Sequence, residues 1–165
     1  MEPATQVFGQ FYLAMIGVTA VMGLTAIGSC LGIGAAGMAA VGAWKKCYAT
    51  NKPAPFQLVI FIGMPLTQII YAFILMQQMY GKLKPFLDPA NVTTLINPNY
   101  AAYILGLGVF GGLAIGASAW FLGKIGAAAS DALAETGKGF GQYIMALGMA
   151  ETVALFVMVF LLLVM

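Results

Sequence analysis

The sequence predicts an all-α membrane protein: four transmembrane helices forming two tandem hairpins, with several copies assembling into a homo-oligomeric ring. Three observations lead there. Apolar residues make up 62% of the chain and charged residues 7%, too few charges to solvate a surface in water. The mean hydropathy is +0.96, and four crossings of roughly 20–25 residues would use most of the chain. The remaining charges fall between long uncharged runs and so mark where spans end.

Each span has its own signature. The first occupies about residues 7–44, because no charge stands between Pro3 and Trp44. Such a run overshoots a bilayer or is cut by its glycines, and it is too long for the apolar region of a cleaved signal peptide. The second, about residues 56–80, lies in the uncharged run between Lys52 and Lys82 and follows Pro53-Ala54-Pro55, which suits a turn and a helix start. The third, about residues 99–130, begins after Asn97-Pro98-Asn99. The fourth, about residues 140–165, carries a single charge, Glu151. The first hairpin then takes residues 1–84 and the second residues 85–165.

Lysines set the direction. Lys45, Lys46 and Lys52 between spans one and two, with Lys138 and nearby Lys124 between spans three and four, outnumber Lys82 and Lys84 in the middle connection. By the positive-inside rule the two outer connections are cytoplasmic and both termini face the other side. Asn91-Val92-Thr93 in the middle connection is a glycosylation sequon, meaningful only in a secretory-pathway host.

The chain reads as one hairpin written twice. Gly63-Met64-Pro65-Leu66-Thr67 in span two and Gly148-Met149-Ala150-Glu151-Thr152 in span four share Gly, Met and Thr, while Ala26-Ile27-Gly28 and Ala114-Ile115-Gly116 pair spans one and three. Matches in the same order at nearly the same offset favour duplication. The register sets Leu66 against Glu151, so one copy has a carboxylate and the other does not. Gly28, Gly32, Ala36 and Ala40 recur every four residues in span one, as do Gly108, Gly112 and Gly116 in span three. Such ladders let helix backbones approach closely in lipid. Small odd spans inside and bulky even spans outside suit a ring of hairpins; ordinary packing within one four-helix bundle is the alternative.

Several functions are excluded. With seven lysines, no arginine, five acidic residues and no basic cluster, nucleic acid is not a partner. The absence of histidine and arginine removes His-based acid/base chemistry, His metal ligation and an Arg clamp within this chain, so neither a catalytic site nor a cofactor is expected. Cys30 and Cys47 make neither a disulfide framework nor a metal-ligand spacing. Gly32-Ile33-Gly34-Ala35-Ala36-Gly37 matches the dinucleotide fingerprint in form, but it sits in an uncharged apolar helix and lacks the βαβ context.

Glu151 lies near the middle of span four, where an ionised carboxylate costs a few kcal/mol on the order of the insertion scales and is functional by default. Every lysine is placed near a span end, so a proton or a bound cation must neutralise it. Span two offers Thr67, Gln68 and Tyr71 at mid-depth, with Tyr71 on the helical face of both others. A hydroxyl, an amide oxygen and a phenol suit a small alkali cation or donation to a carboxylate; interhelical hydrogen bonding is the plainer role for Thr67 and Gln68. Pro65 disturbs the helix and is expected to leave a backbone carbonyl near Met64 free.

Met64-Pro-Leu-Thr-Gln-Ile-Ile-Tyr71 together with Met149-Ala-Glu-Thr152, on a duplicated hairpin, resembles the K subunit of bacterial V-type ATPases, the membrane rotor-ring proteolipid. The resemblance covers all four spans. It implies that Glu151 is the ion-binding carboxylate, that Thr67, Gln68 and the Met64 carbonyl are ligands in sodium-pumping members, and that Tyr71 hydrogen-bonds to the glutamate. Those members also place a glutamine just before a Gly-Lys pair in span three. Here Leu122 precedes Gly123-Lys124, which implies one ligand fewer; Ser118, one turn earlier, is a candidate substitute.

The expected function is therefore carriage of one cation per copy, Na+ favoured over H+ because Thr67, Gln68 and Tyr71 occur together, during ATP-coupled rotation. The implied partners are identical subunits, a static membrane subunit supplying an arginine, a soluble central-stalk subunit meeting Lys45, Lys46 and Lys138, and lipid. Two alternatives come from other classes. A small four-helix secondary exporter resembles a shorter chain with its acid in the first span, and a structural membrane scaffold would tolerate Glu151→Gln.

Overall fold

The computed structural model describes residues 2–87 and 97–165; the sequon at residues 91–93 lies outside the described residues. The elements are α1 (Glu2–Ala49), α2 (Leu58–Gly63), a 3-10 turn (Met64–Leu66), α3 (Thr67–Leu83), a second 3-10 turn (Lys84–Leu87), α4 (Pro98–Thr136) and α5 (Phe140–Val164). No strand occurs among the described residues. Four helical segments, Gly9–Ala49, Leu58–Phe86, Pro98–Thr136 and Phe140–Val164, are long and apolar enough to cross a membrane. The chain is an all-helical, multi-pass membrane protein.

Helix ends differ from those expected because charge ends an apolar run without ending a helix. α1 is unbroken by its glycines and continues through Lys45 and Lys46, good helix formers, to Ala49. Its 48 residues span about 72 Å, roughly twice a hydrocarbon core. It stops where Asn51 takes a left-handed φ of 50° and the Lys52 N–H reaches back to the Cys47 carbonyl at 2.9 Å, a Schellman-type closure. Trp44 donates its indole N–H to the Pro55 carbonyl at 2.8 Å, tying the connection down. α4 likewise runs past residue 130 to Thr136 and ends on left-handed Gly137, whose N–H bonds the Leu133 carbonyl. Lys124 is consequently well inside α4, its ammonium 4.2 Å from the Trp120 ring centroid on the exposed side of the helix.

Span two is broken as Pro65 requires. A proline has no N–H for the carbonyl four residues earlier, and the three residues Met64–Leu66 tighten into a 3-10 turn between α2 and α3. The carbonyl that loses its helical donor is that of Phe61, and it lies against Gly126 of α4: a Cβ built on Gly126 would be 2.8 Å from the Phe61 oxygen. The Met64 carbonyl accepts the Thr67 N–H.

α1 and α4 make the most extensive contact in the chain and run parallel, because Gly17 meets Gly108, Gly28 meets Gly116 and Gly32 meets Gly123 in rising order. The expected ladders are the contact surface: Ala36 and Ala40 are fully buried, and a Cβ on Gly28 or Gly123 would collide with the facing backbone. In lipid no water is excluded by such packing, so close van der Waals approach does the work. The bulkier α3 and α5 pack on one side of this pair. Two apolar clusters result, one around Val21, Leu75, Met79 and Ile104, the other around Leu58, Phe61, Leu122 and Leu147. Cys30 and Cys47 are free thiols.

Gly28→Ala forces α1 and α4 apart and should lower stability by about 1–3 kcal/mol, read as the thermal aggregation midpoint in detergent. Gly34→Ala, whose added Cβ meets nothing within 4 Å, should leave that midpoint unchanged.

Candidate ion-binding site

Between the two apolar clusters lies a polar layer. Ser29 and Gln68 are fully buried there, alongside half-buried Thr67, Tyr71, Ser118 and Glu151. α5 brings Glu151 to this level eleven residues after its first residue, Phe140. α3 brings Tyr71 opposite, and the phenol donates to Glu151 Oε1 at 3.0 Å. The only ion pair among the described residues joins Lys46 to Glu135, both exposed at the ends of α1 and α4. Glu151 has no cationic side chain in an ion pair with it among the described residues.

One turn from Tyr71, the Thr67 hydroxyl stands 2.8 Å from the Met64 carbonyl and 2.5 Å from Gln68 Oε1. A hydroxyl has one proton and can donate to one acceptor at a time. The Met64 carbonyl also accepts the Thr67 backbone N–H, so the hydroxyl can serve Gln68 Oε1, while the Gln68 amide nitrogen, also buried, has no partner. An unmet amide nitrogen in a buried layer costs about 1–3 kcal/mol. The arrangement can accept a cation: the oxygens are hard, close together and held on one turn of backbone.

Among the described residues no hydrogen bond joins Thr67 or Gln68 to Glu151; Tyr71 links the α3 group to the carboxylate. Leu122 is fully buried in the apolar cluster with Leu58, Phe61 and Leu147, so it presents no oxygen. Ser118 donates to the Ala150 carbonyl at 3.0 Å. Two residues have no role assigned by sequence. Ser29 donates to the Pro65 carbonyl, and Thr152 donates to the Met149 carbonyl at 2.7 Å, the same bond that Thr67 makes to Met64. The shared Gly-Met-x-x-Thr pattern is the available signal for Thr152; nothing in spacing alone singles out Ser29. No group of three His, Cys, Asp or Glu side chains that could hold a metal ion occurs among the described residues, so any bound cation would rest on neutral oxygens plus one carboxylate.

Comparison with known families gives a match for residues 105–164 to the family of the ATP synthase C subunit. The matched stretch takes in most of α4 and all of α5, and so includes Ser118, Leu122 and Glu151. Over this stretch the chain is similar to the ATP synthase C subunit. No curated protein matches the chain.

Tyr71→Phe removes the one hydrogen-bond donor to the Glu151 carboxylate among the described residues. The carboxyl oxygen it covered is then open to reagent, and carbodiimide should label Glu151 roughly three- to tenfold faster, the scale of one lost hydrogen bond. An unchanged rate would show that the phenol does not hold the carboxyl group in place.

Proposed function

We propose that the chain is a rotor-ring proteolipid of a V-type ATPase, the K-subunit type, carrying one cation per copy on Glu151, with Na+ preferred to H+. The observation that carries this reading is the pairing of Glu151 with Tyr71 at 3.0 Å, beside a Thr67–Gln68–Met64 oxygen group gathered on one turn of backbone. A proton on Glu151 would need only the tyrosine; the added oxygen group is what a sodium ion would use. Support for the class comes from the match to the ATP synthase ring proteolipids over residues 105–164.

In this reading residues 1–84 and 85–165 are two hairpins of common origin, with α1 and α4 lining the inside of a ring of identical copies. The matching Thr67–Met64 and Thr152–Met149 bonds support the duplication. Leu66 takes the place of the carboxylate in the first hairpin, so each chain carries one ion. A bound ion makes the site neutral enough to pass lipid during rotation. A static neighbour supplies the arginine that displaces it, since this chain has none. Moving one charge through 100 mV is worth about 2.3 kcal/mol, so several sites share each nucleotide hydrolysed elsewhere in the complex. The α1–α2 and α4–α5 connections face the cytoplasm and the central stalk, with both termini on the other side. A cavity of about 430 Å³ at that end, lined in part by Lys52, Pro53, Glu135 and Gly137, adds relief to the docking surface.

Carbodiimide labelling of the purified chain, titrated with sodium at fixed pH, tests the reading: Glu151 should label, sodium should protect it, and Glu151→Gln should abolish both labelling and transport. Labelling that responds to pH alone and not to sodium would turn the assignment to protons, and an unlabelled Glu151 would refute it. Leu122→Gln supplies the oxygen that α4 lacks and should lower the half-protecting sodium concentration several-fold, the effect of one added charge-assisted contact.

A further inference from the structure

Two hydroxyls on different helices do the same thing at the same depth. Ser29, fully buried on α1, donates to the carbonyl of Pro65. Ser118 on α4 donates to the carbonyl of Ala150 at 3.0 Å. Pro65 directly precedes Leu66, and Ala150 directly precedes Glu151, the two positions that the repeat register sets against each other. The inner helices are locked together at this level: Gly28, next to Ser29, contacts Gly116, two residues before Ser118. The rigid α1–α4 pair therefore extends one hydroxyl to each outer helix, at the residue before its ion-site position.

The chemistry gives these bonds a use beyond filling hydrogen-bonding capacity. The Pro65 carbonyl belongs to the 3-10 turn Met64–Leu66, and that turn sets where the Met64 oxygen, Thr67 and Gln68 stand. Its proline has already removed one backbone hydrogen bond, so the turn is the least self-supporting part of span two. On α5, few residues are buried within the chain, so Ser118 is one of the few fixed points that set the height and rotation of the helix bearing Glu151.

We infer that Ser29 and Ser118 are paired positioning residues for cation binding: neither ligates the ion, and together they hold the oxygen group of α3 and the carboxylate of α5 in register. The inference rests on the reading of Glu151 as the cation site.

The test uses the purified full chain and its Ser29→Ala, Ser118→Ala and Ser118→Thr variants, with carbodiimide labelling of Glu151 titrated by sodium. Each alanine variant should label as fast as the unsubstituted chain without sodium, yet need about tenfold more sodium for half protection, the scale of one lost buried hydrogen bond. Ser118→Thr, which keeps the hydroxyl, should restore protection. Alanine variants that lose thermal stability but keep the unsubstituted half-protecting concentration would overturn the inference, since the serines would then be structural only. Should sodium fail to protect even the unsubstituted chain while Glu151 still labels, the preference for sodium is what fails. The pH profile of labelling then decides: displaced profiles in both alanine variants uphold the positioning role and superimposable ones end it. An unsubstituted chain that does not label at Glu151 removes both readings.

Discussion

A carboxylate halfway along an apolar helix, with no fixed cation beside it, is the constraint from which the rest of the structure follows. Glu151 has a tyrosine hydroxyl at 3.0 Å and no lysine beside it among the described residues. In a low-dielectric layer such a group is tolerable only when something mobile neutralises it. A fixed lysine would have stabilised the chain and ended any exchange. The proposed ion carriage thus depends on an omission: the cations of this chain are kept to helix ends, or, for Lys124, to an exposed face against Trp120.

Holding such a group at a defined depth needs a frame that does not rely on water exclusion. The glycine and alanine ladders of α1 and α4 provide it by bringing two backbones into contact from Gly17–Gly108 to Gly32–Gly123. Interfaces of this kind tolerate little adjustment, since even a methyl group meets backbone rather than a movable side chain. The outer helices are less firmly held. Span two is interrupted at Pro65 and α5 has only Leu147 and Ala154 buried, which is why hydroxyl bonds from the inner pair to their backbones carry weight out of proportion to their number.

Much of this is legible in sequence because lipid imposes simple rules. Apolar length locates four helices, the four-residue recurrence of small side chains identifies the faces of α1 and α4 that touch, and a lone carboxylate marks the polar layer. Helix ends are misplaced wherever a lysine or serine is read as a stop. α1 continues through Lys45 and Lys46 to a left-handed Asn51, and α4 through Ser130 to Gly137, since the terminator is a backbone conformation rather than a charge. Pro65 does mark a break, yet the carbonyl it deprives is Phe61, facing Gly126, while Met64 is engaged by Thr67. The Ser29–Pro65 bond is invisible in sequence, because it depends on which residues of α1 and span two meet, and no spacing within one helix encodes that.

The most direct measurement is equilibrium binding of radioactive sodium to the purified chain, alongside Glu151→Gln. The account predicts saturation at one sodium per chain, near-complete loss in the variant, and displacement as pH falls. Binding that survives Glu151→Gln, or a chain that holds no sodium at any concentration while Glu151 remains reactive, would contradict a single carboxylate neutralised by a bound sodium ion.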